Sequence, residues 1–395
     1  MNLSLQSLIK LVPINIQKDK KHFIVEDKNS GEFYEMPEIC IEAIHLMNDG
    51  MALGEIEQFL KGKYPDEEVD LLDFAKQLME LQLIAEIDGV KIDIHEKGKE
   101  EHGFQWVSPK LGKFFFNQVS LVVYSIFFVG IILMFILEPS LFPHYKDLFI
   151  FHLLAFNIPG WLILSFILVM IHEFGHILAV RSFNLPTKLG IGHRLFLVVL
   201  ETDMSSVWKL PSKDRNVLFL AGLCFDTTIL FFVLLAQLIF ADGPFIFLGF
   251  LKLAALDIFI RMIYQCCFYM KTDIYYVIEN LTGCYNLMEN AEQVIRNKLP
   301  FIKSVRQNEV VFDEEKRTVH MYALFYFVGV GLTLLLFFGY FIPQVVTALT
   351  TIDHCFSYGP SSYHFWNAVF STLQLLIGLL LLLYSLRKKY ILKRF

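Results

Sequence analysis

Long stretches without charge decide most of what this chain can become. Residues 119–137 form a 19-residue run with no charged side chain, enough helix to cross the roughly 30 Å hydrocarbon core of a bilayer. Residues 148–180 follow, where Pro159-Gly160 is expected to split an interfacial piece from a spanning helix that begins near Trp161. Four more stretches, 217–240, 244–269, 321–341 and 365–386, read the same way. The expected fold class is an α-helical polytopic membrane protein with about six transmembrane helices. Composition agrees: 55% of the 395 residues are hydrophobic and 19% charged, against about 45–50% and about 25% for an ordinary soluble domain. A net charge of -6 with no basic stripe speaks against nucleic acid as a partner.

The distribution of Lys and Arg orients the helices. Residues 181–215 hold six basic side chains, residues 269–318 hold seven, and the tail holds Arg387, Lys388, Lys389, Lys393 and Arg394. The alternate loops, 138–147, 241–243 and 342–364, hold Lys146 alone. By the positive-inside rule both termini face the cytosol, as an even number of spans also requires. Residues 1–25 are polar, with a Lys18, Lys20, Lys21 cluster and no apolar core of signal-peptide length. The six cysteines form no CxxC pair and read as buried thiols in a reducing compartment.

Residues 1–105 differ in character from everything after them. Two short strands, 22–25 and 32–35, flank a turn at Asn29-Ser30-Gly31. Pro37 can open a helix that Asn48-Asp49-Gly50 stops, a second helix is expected over 53–61, and residues 69–81 place Leu71, Phe74, Leu78 and Leu81 on one stripe. A strand over 84–94 with a turn at Asp88-Gly89 completes an α+β winged-helix pattern. Its helices are crowded with Glu and Asp, so DNA is an unsuitable ligand. The order Asn-Asp-Gly, Leu-Gly-Glu-Ile, Tyr-Pro and a Leu-rich helix ending in Leu-Ile, over residues 7–93, resembles the PqqD-like peptide-recognition domain. That resemblance implies capture of a precursor's leader peptide as an added strand.

The chemistry concentrates at Ile171-His172-Glu173-Phe174-Gly175-His176. On a helix the two histidines of HExxH project from one face, about 6 Å apart, as one zinc ion needs from two imidazoles. Glu173 can then serve as general base toward a water at the metal. Three ionisable groups within five residues of a spanning helix are expensive there and mark function by default. Zinc needs at least one more protein ligand. Asp273 lies just after the fourth span, at the membrane face where the second span ends, so it can converge with the histidines; a lone Asp there also suits a helix terminus or loop. His172 and His176 sit about 6–12 Å before that cytosolic end at 1.5 Å per residue. Asp257 and Arg261, four apart on the fourth span, are expected to pair with each other. Residues 195–201 read as a strand that could hold an extended substrate peptide.

Three stretches carry a second resemblance: HEFGH, then Thr202-Asp203-Met204-Ser205-Ser206-Val207-Trp208-Lys209-Leu210-Pro211-Ser212 leading to Ala221-Gly222, then Thr272-Asp273-Ile274-Tyr275-Tyr276. Over about 151–290 the chain is similar to the site-2 protease class (M50) of intramembrane zinc metalloproteases, in particular its peptide zinc metalloprotease branch. The resemblance implies His172, His176 and Asp273 as zinc ligands, Glu173 as the catalytic carboxylate and a substrate-binding role for Asp226. The sequence departs from the family at Ile274, where Gly is usual. Gln265 and Phe268 stand where Asn and Pro are common, and Gly222-Leu223-Cys224-Phe225-Asp226 replaces Gly-Pro-x-x-Asn.

Together these readings describe a leader-binding domain at 1–105 and a membrane metalloprotease domain at 106–395, in a bacterial cell membrane. The expected function is zinc-dependent cleavage of a small ribosomally made precursor peptide in bacteriocin-like maturation or export. Its expected partners are the precursor, the lipid bilayer, a peptide-modifying enzyme and an ABC exporter. Two alternatives stand beside it: regulated intramembrane proteolysis of a membrane-tethered regulator, and a non-catalytic peptide receptor or immunity protein.

Overall fold

The structure is a computed structural model that describes residues 3–65, 67–92, 103–194, 197–298 and 315–392, and the chain divides into two compact units. The first joins Met1–His102 with two distant segments, Ser205–Arg215 and Gly283–Tyr285. The division expected at residue 105 does not include those segments. Lys303, Arg306, Lys393 and Arg394, part of the charge pattern used for orientation, lie outside the described residues, as do residues 93–94 of the expected 84–94 strand.

In the first unit, β1 (Ile9–Leu11), β2 (Ile14–Lys18), β3 (Phe23–Asp27) and β4 (Phe33–Met36) precede α1 (Glu38–Asn48), α2 (Leu53–Lys63) and α3 (Leu71–Glu80). The short strands β5 (Ile84–Ile87) and β6 (Val90–Lys91) follow. All pairings are antiparallel, in two three-stranded sheets ordered β2-β3-β4 and β1-β5-β6. Asp27 builds the expected turn by accepting from the Asn29 amide at 2.9 Å and the Ser30 hydroxyl at 2.7 Å, and Gly31 takes the positive φ of 74° that closes it. Asp70 caps α3 through the Asp73 amide at 2.9 Å. Val25, Ile44, Met47, Leu53, Ile56, Leu78 and Leu83 are buried in one core. Asp88 and Gly89 both have positive φ, as a two-residue hairpin turn demands.

Arg215 ties the two distant segments into this unit. Its side chain is fully buried, and its Nη1 donates to Asp19 Oδ2 at 2.6 Å and to the Tyr285 hydroxyl at 3.2 Å. Nε donates to Leu210 O at 2.8 Å, and the guanidinium lies 4.8 Å over the Trp208 ring. Burial alone would raise the Asp19 carboxyl, but hydrogen bonds from Tyr285 and Arg215 hold it below the usual carboxylate range, so the pair stays ionised at neutral pH. Asp19→Ala strands a buried cation and should cost about 3 kcal/mol of first-unit stability. Thermal unfolding would read that loss, and Asp19→Leu with Arg215→Met should recover most of it.

The second unit opens with α4 (Pro109–Phe115), α5 (Gln118–Leu137), α6 (Leu154–Ser182), the hairpin β7 (Leu189–Arg194) and β8 (Leu197–Thr202), α7 (Ser212–Phe219), whose residues up to Arg215 belong to the first unit, and α8 (Ala221–Ile239). It ends with α9 (Phe245–Tyr264), α10 (Asp273–Thr282), α11 (Leu287–Lys298), α12 (Lys316–Leu336), α13 (Ile342–Phe356) and α14 (Tyr363–Leu392). Among the described residues, five helices are long and apolar enough to cross a membrane: Gln118–Leu137, Leu154–Ser182, Ser212–Ile239, Lys316–Phe356 and Tyr363–Arg387. The sixth expected span, α9, has the length but carries Lys252, Asp257 and Arg261. Residues 195–196, at the start of the expected 195–201 strand, lie outside the described residues; the strand continues from Leu197 as β8.

Two expectations about helix ends are corrected. Pro159 does not split the second span, and α6 runs through it. A proline there leaves the carbonyl four residues back without its helical donor; Gln374 Nε2 on α14 supplies one, to Ala155 O at 3.0 Å. Likewise the loop expected from residue 342 is helical to Phe356. Residues 337–341 form a π-turn that carries the helix from α12 into α13, and Pro343 lies two residues beyond that irregular turn.

Candidate metal centre

Three elements of the second unit converge on one point. α6 contributes His172 and His176, buried with ring centroids 5.1 Å apart. Asp273 stands at the first position of α10, also buried. His172 Nε2 lies 3.2 Å and His176 Nε2 3.4 Å from the same Asp273 oxygen, Oδ2. Two ligand atoms held tetrahedrally at about 2.0–2.1 Å from one ion stand about 3.3–3.4 Å apart. These three buried residues can hold a metal ion.

The opposite ring nitrogens fix how the two imidazoles face Asp273. His176 Nδ1 lies 2.9 Å from the carbonyl of Leu218, which only accepts, so Nδ1 carries the hydrogen. His172 Nδ1 donates to Asp226 Oδ2 at 2.8 Å. In the neutral form with its hydrogen at Nδ1, each ring presents its Nε2 lone pair toward Asp273 Oδ2. Two Nε2 lone pairs and a carboxylate oxygen that also accepts from Gln265 then meet at separations a shared cation would bridge. This is also the outer-shell arrangement that fixes ring orientation at metal-binding histidines.

Space at the centre is set by Gly222, in the first turn of α8. A Cβ there would collide with His172 Nε2 and Cε1 and come within 2.6 Å of His176 Nε2. Only glycine lets α8 pass this close to the two Nε2 atoms. Gly175 plays a similar part between the histidines, where a Cβ would meet the Ala221 carbonyl at 2.9 Å and the Phe225 ring at 3.1 Å.

Two supports lie in the α8–α10 region. Gln265 is buried and brackets the Asp273 carboxylate: its Nε2 donates to Asp273 Oδ2 at 3.0 Å, and its Oε1 accepts from the Asp273 amide at 2.9 Å. Asp226 is completely buried against His172, with Arg261 Nη2 3.2 Å from its other oxygen. The expected Asp257–Arg261 pair is present at 3.7 Å, longer than the Arg261–Asp226 approach, and Trp161 Nε1 donates to Asp257 Oδ1 at 3.0 Å. The expected substrate-binding residue thus has its carboxylate on an imidazole and a guanidinium.

Glu173, next to His172 on α6, is also buried, and the β8 residue Thr202 reaches it. Sequence reasoning placed His172, Glu173, His176 and Asp273 and missed Gly222, Gln265, Thr202 and the Arg261–Asp226 link. The last had a signal: opposite charges on two apolar helices are expected to find each other. No family model, no curated protein and no solved structure matches the chain.

Proposed function

We propose that this protein is an intramembrane zinc endopeptidase of the site-2 protease type that cuts a small ribosomally made precursor peptide. The observation that carries the proposal is the meeting of the two HExxH imidazoles with Asp273 at metal-ligand separations, Glu173 being the next residue along the helix. Two nitrogens and one carboxylate would make three protein ligands, the composition of a catalytic zinc site. When bound, zinc supplies a Lewis acid for a water and for the scissile carbonyl. Glu173 takes the proton from the attacking water and passes it to the leaving amine. His172, His176 and Asp273 would hold the ion, with Asp226 and the Leu218 carbonyl fixing the two rings. Gln265 keeps Asp273 turned inward.

In this proposal α9 is the sixth span. Its three charges are tolerable because Asp257 and Arg261 find partners within the bundle, while Lys252 can extend along the helix toward the outer interface. Both termini then face the cytosol of a bacterial cell, and the winged-helix-like first unit meets the precursor there. An outer strand of its β2-β3-β4 sheet would take the leader by backbone pairing, raising the concentration of the cleavage segment near the site. A modifying enzyme and an exporter would act on the same peptide.

Mass spectrometry of a candidate precursor tests this reading. Co-expression with the protein should yield a shortened peptide, and a zinc chelator should restore the full-length mass. A precursor lacking its leader should escape cleavage; its efficient cutting would favour proteolysis of a membrane-tethered regulator instead. An unchanged precursor mass under all conditions would leave only a binding role. Removing the leader is preferable to deleting residues 1–105, which would strand Arg215.

A further inference from the structure

The carboxylate assigned as general base is not free to rotate. Glu173 Oε2 accepts two hydrogen bonds, both from Thr202: its amide at 2.8 Å and its hydroxyl at 2.8 Å. The same hydroxyl lies 3.2 Å from the Glu173 backbone carbonyl, so one side chain spans main chain and carboxylate of the base. Among the described residues Oε1 has no hydrogen-bond partner.

Thr202 is the last residue of β8, opposite Leu189 of β7. Just beyond it, the Asp203 amide donates to Lys188 O at 2.8 Å, and the Thr187 hydroxyl donates to Asp203 O at 2.7 Å, fastening the base of the hairpin. Successive amides of an antiparallel strand point to opposite sides. With Asp203 turned toward β7, the Thr202 amide points off the outer edge of the hairpin, where Glu173 accepts it.

We propose that Thr202 is the positioning residue of Glu173, so that the β7–β8 hairpin, rather than α6 alone, sets where the base's reactive oxygen points. The proposal rests on the peptidase reading for its kinetic consequence, while the hydrogen-bond pairing stands without it. Holding Oε2 with two donors leaves one carboxylate orientation and turns Oε1 to the proton transfer. A backbone donor would act with any residue at this position; the hydroxyl requires Thr or Ser.

Thr202→Val keeps the shape and the amide bond but removes the hydroxyl. In the full-length protein kcat should fall about 10- to 100-fold, as for a misaimed catalytic group, with KM and zinc content unchanged. Thr202→Ser should restore most of the loss. Independently of catalysis, Glu173→Ala should speed hydrogen exchange at the Thr202 amide, read by mass spectrometry on a peptide containing it. Wild-type kcat in Thr202→Val, loss of zinc in that variant, or unchanged exchange in Glu173→Ala would each overturn the proposal. If Glu173→Gln cuts as well as wild type, the peptidase reading itself falls, and the exchange measurement alone decides the pairing.

Discussion

Gly222→Ala should empty the metal centre while leaving the helices intact. The added methyl falls on His172 Nε2 and Cε1 and 2.6 Å from His176 Nε2, the two nitrogens that face Asp273. Interiors packed at crystal-like density do not absorb such an overlap locally, so at least one imidazole must turn away. Each ring is held at its other nitrogen by Asp226 or the Leu218 carbonyl, so turning also breaks that bond. Alanine is the better helix former by about 1 kcal/mol, so metal-free thermal stability should not fall by more than the local repacking costs. Zinc affinity should drop by at least about 100-fold, the upper end of losses seen when only an outer-shell partner is removed. Titration against a chromophoric chelator measures it, and wild-type affinity would mean that the two imidazoles do not share an ion.

Glu173→Gln should produce the largest catalytic loss of any isosteric change. The amide oxygen of Gln can accept the Thr202 hydrogen bonds in place of Oε2, so the side chain should stay where it is. What then faces the reaction is an NH2 group, which donates and cannot take a proton. General acid–base contributions of this kind are worth about 100- to 10,000-fold in rate. Zinc content should remain at the wild-type level, since neither histidine nor Asp273 changes. Precursor cleavage followed by mass spectrometry, alongside metal analysis of the same preparation, separates the outcomes. Normal cleavage removes catalysis from the account, and loss of zinc with loss of cleavage would make Glu173 a ligand instead.

Much of this architecture could be read from residue order, for identifiable reasons. Apolar runs of bilayer length announce helices without reference to their neighbours, and each of the five membrane-length helices among the described residues covers one of the six expected runs. HExxH carries its own geometry, because helical periodicity alone puts both imidazoles on one face. Orientation offers Asp273 only as one carboxylate able to meet the histidines, and the resemblance to the site-2 proteases is what selects it. Other features depend on partners far along the chain. Pro159 should have broken α6, and does not because Gln374 donates to the carbonyl that proline leaves open. Strands β1 and β2 are short, and β1 pairs with β5 more than seventy positions away, as in Ile9 with Ile87. Gln265 looked like a loss relative to the family's Asn, yet its longer amide bonds both the carboxylate and the amide of Asp273. Gly222 and Thr202 are ordinary residue types whose importance comes wholly from what crosses near them.

The most direct measurement is X-ray absorption on the purified, zinc-loaded full-length protein together with its zinc stoichiometry. The account predicts one zinc per chain, in a four-coordinate nitrogen and oxygen shell at about 2.0–2.1 Å, with the outer-shell scattering of two imidazoles. A protein that binds no zinc, or a shell with no imidazole or with sulfur ligands, would contradict it.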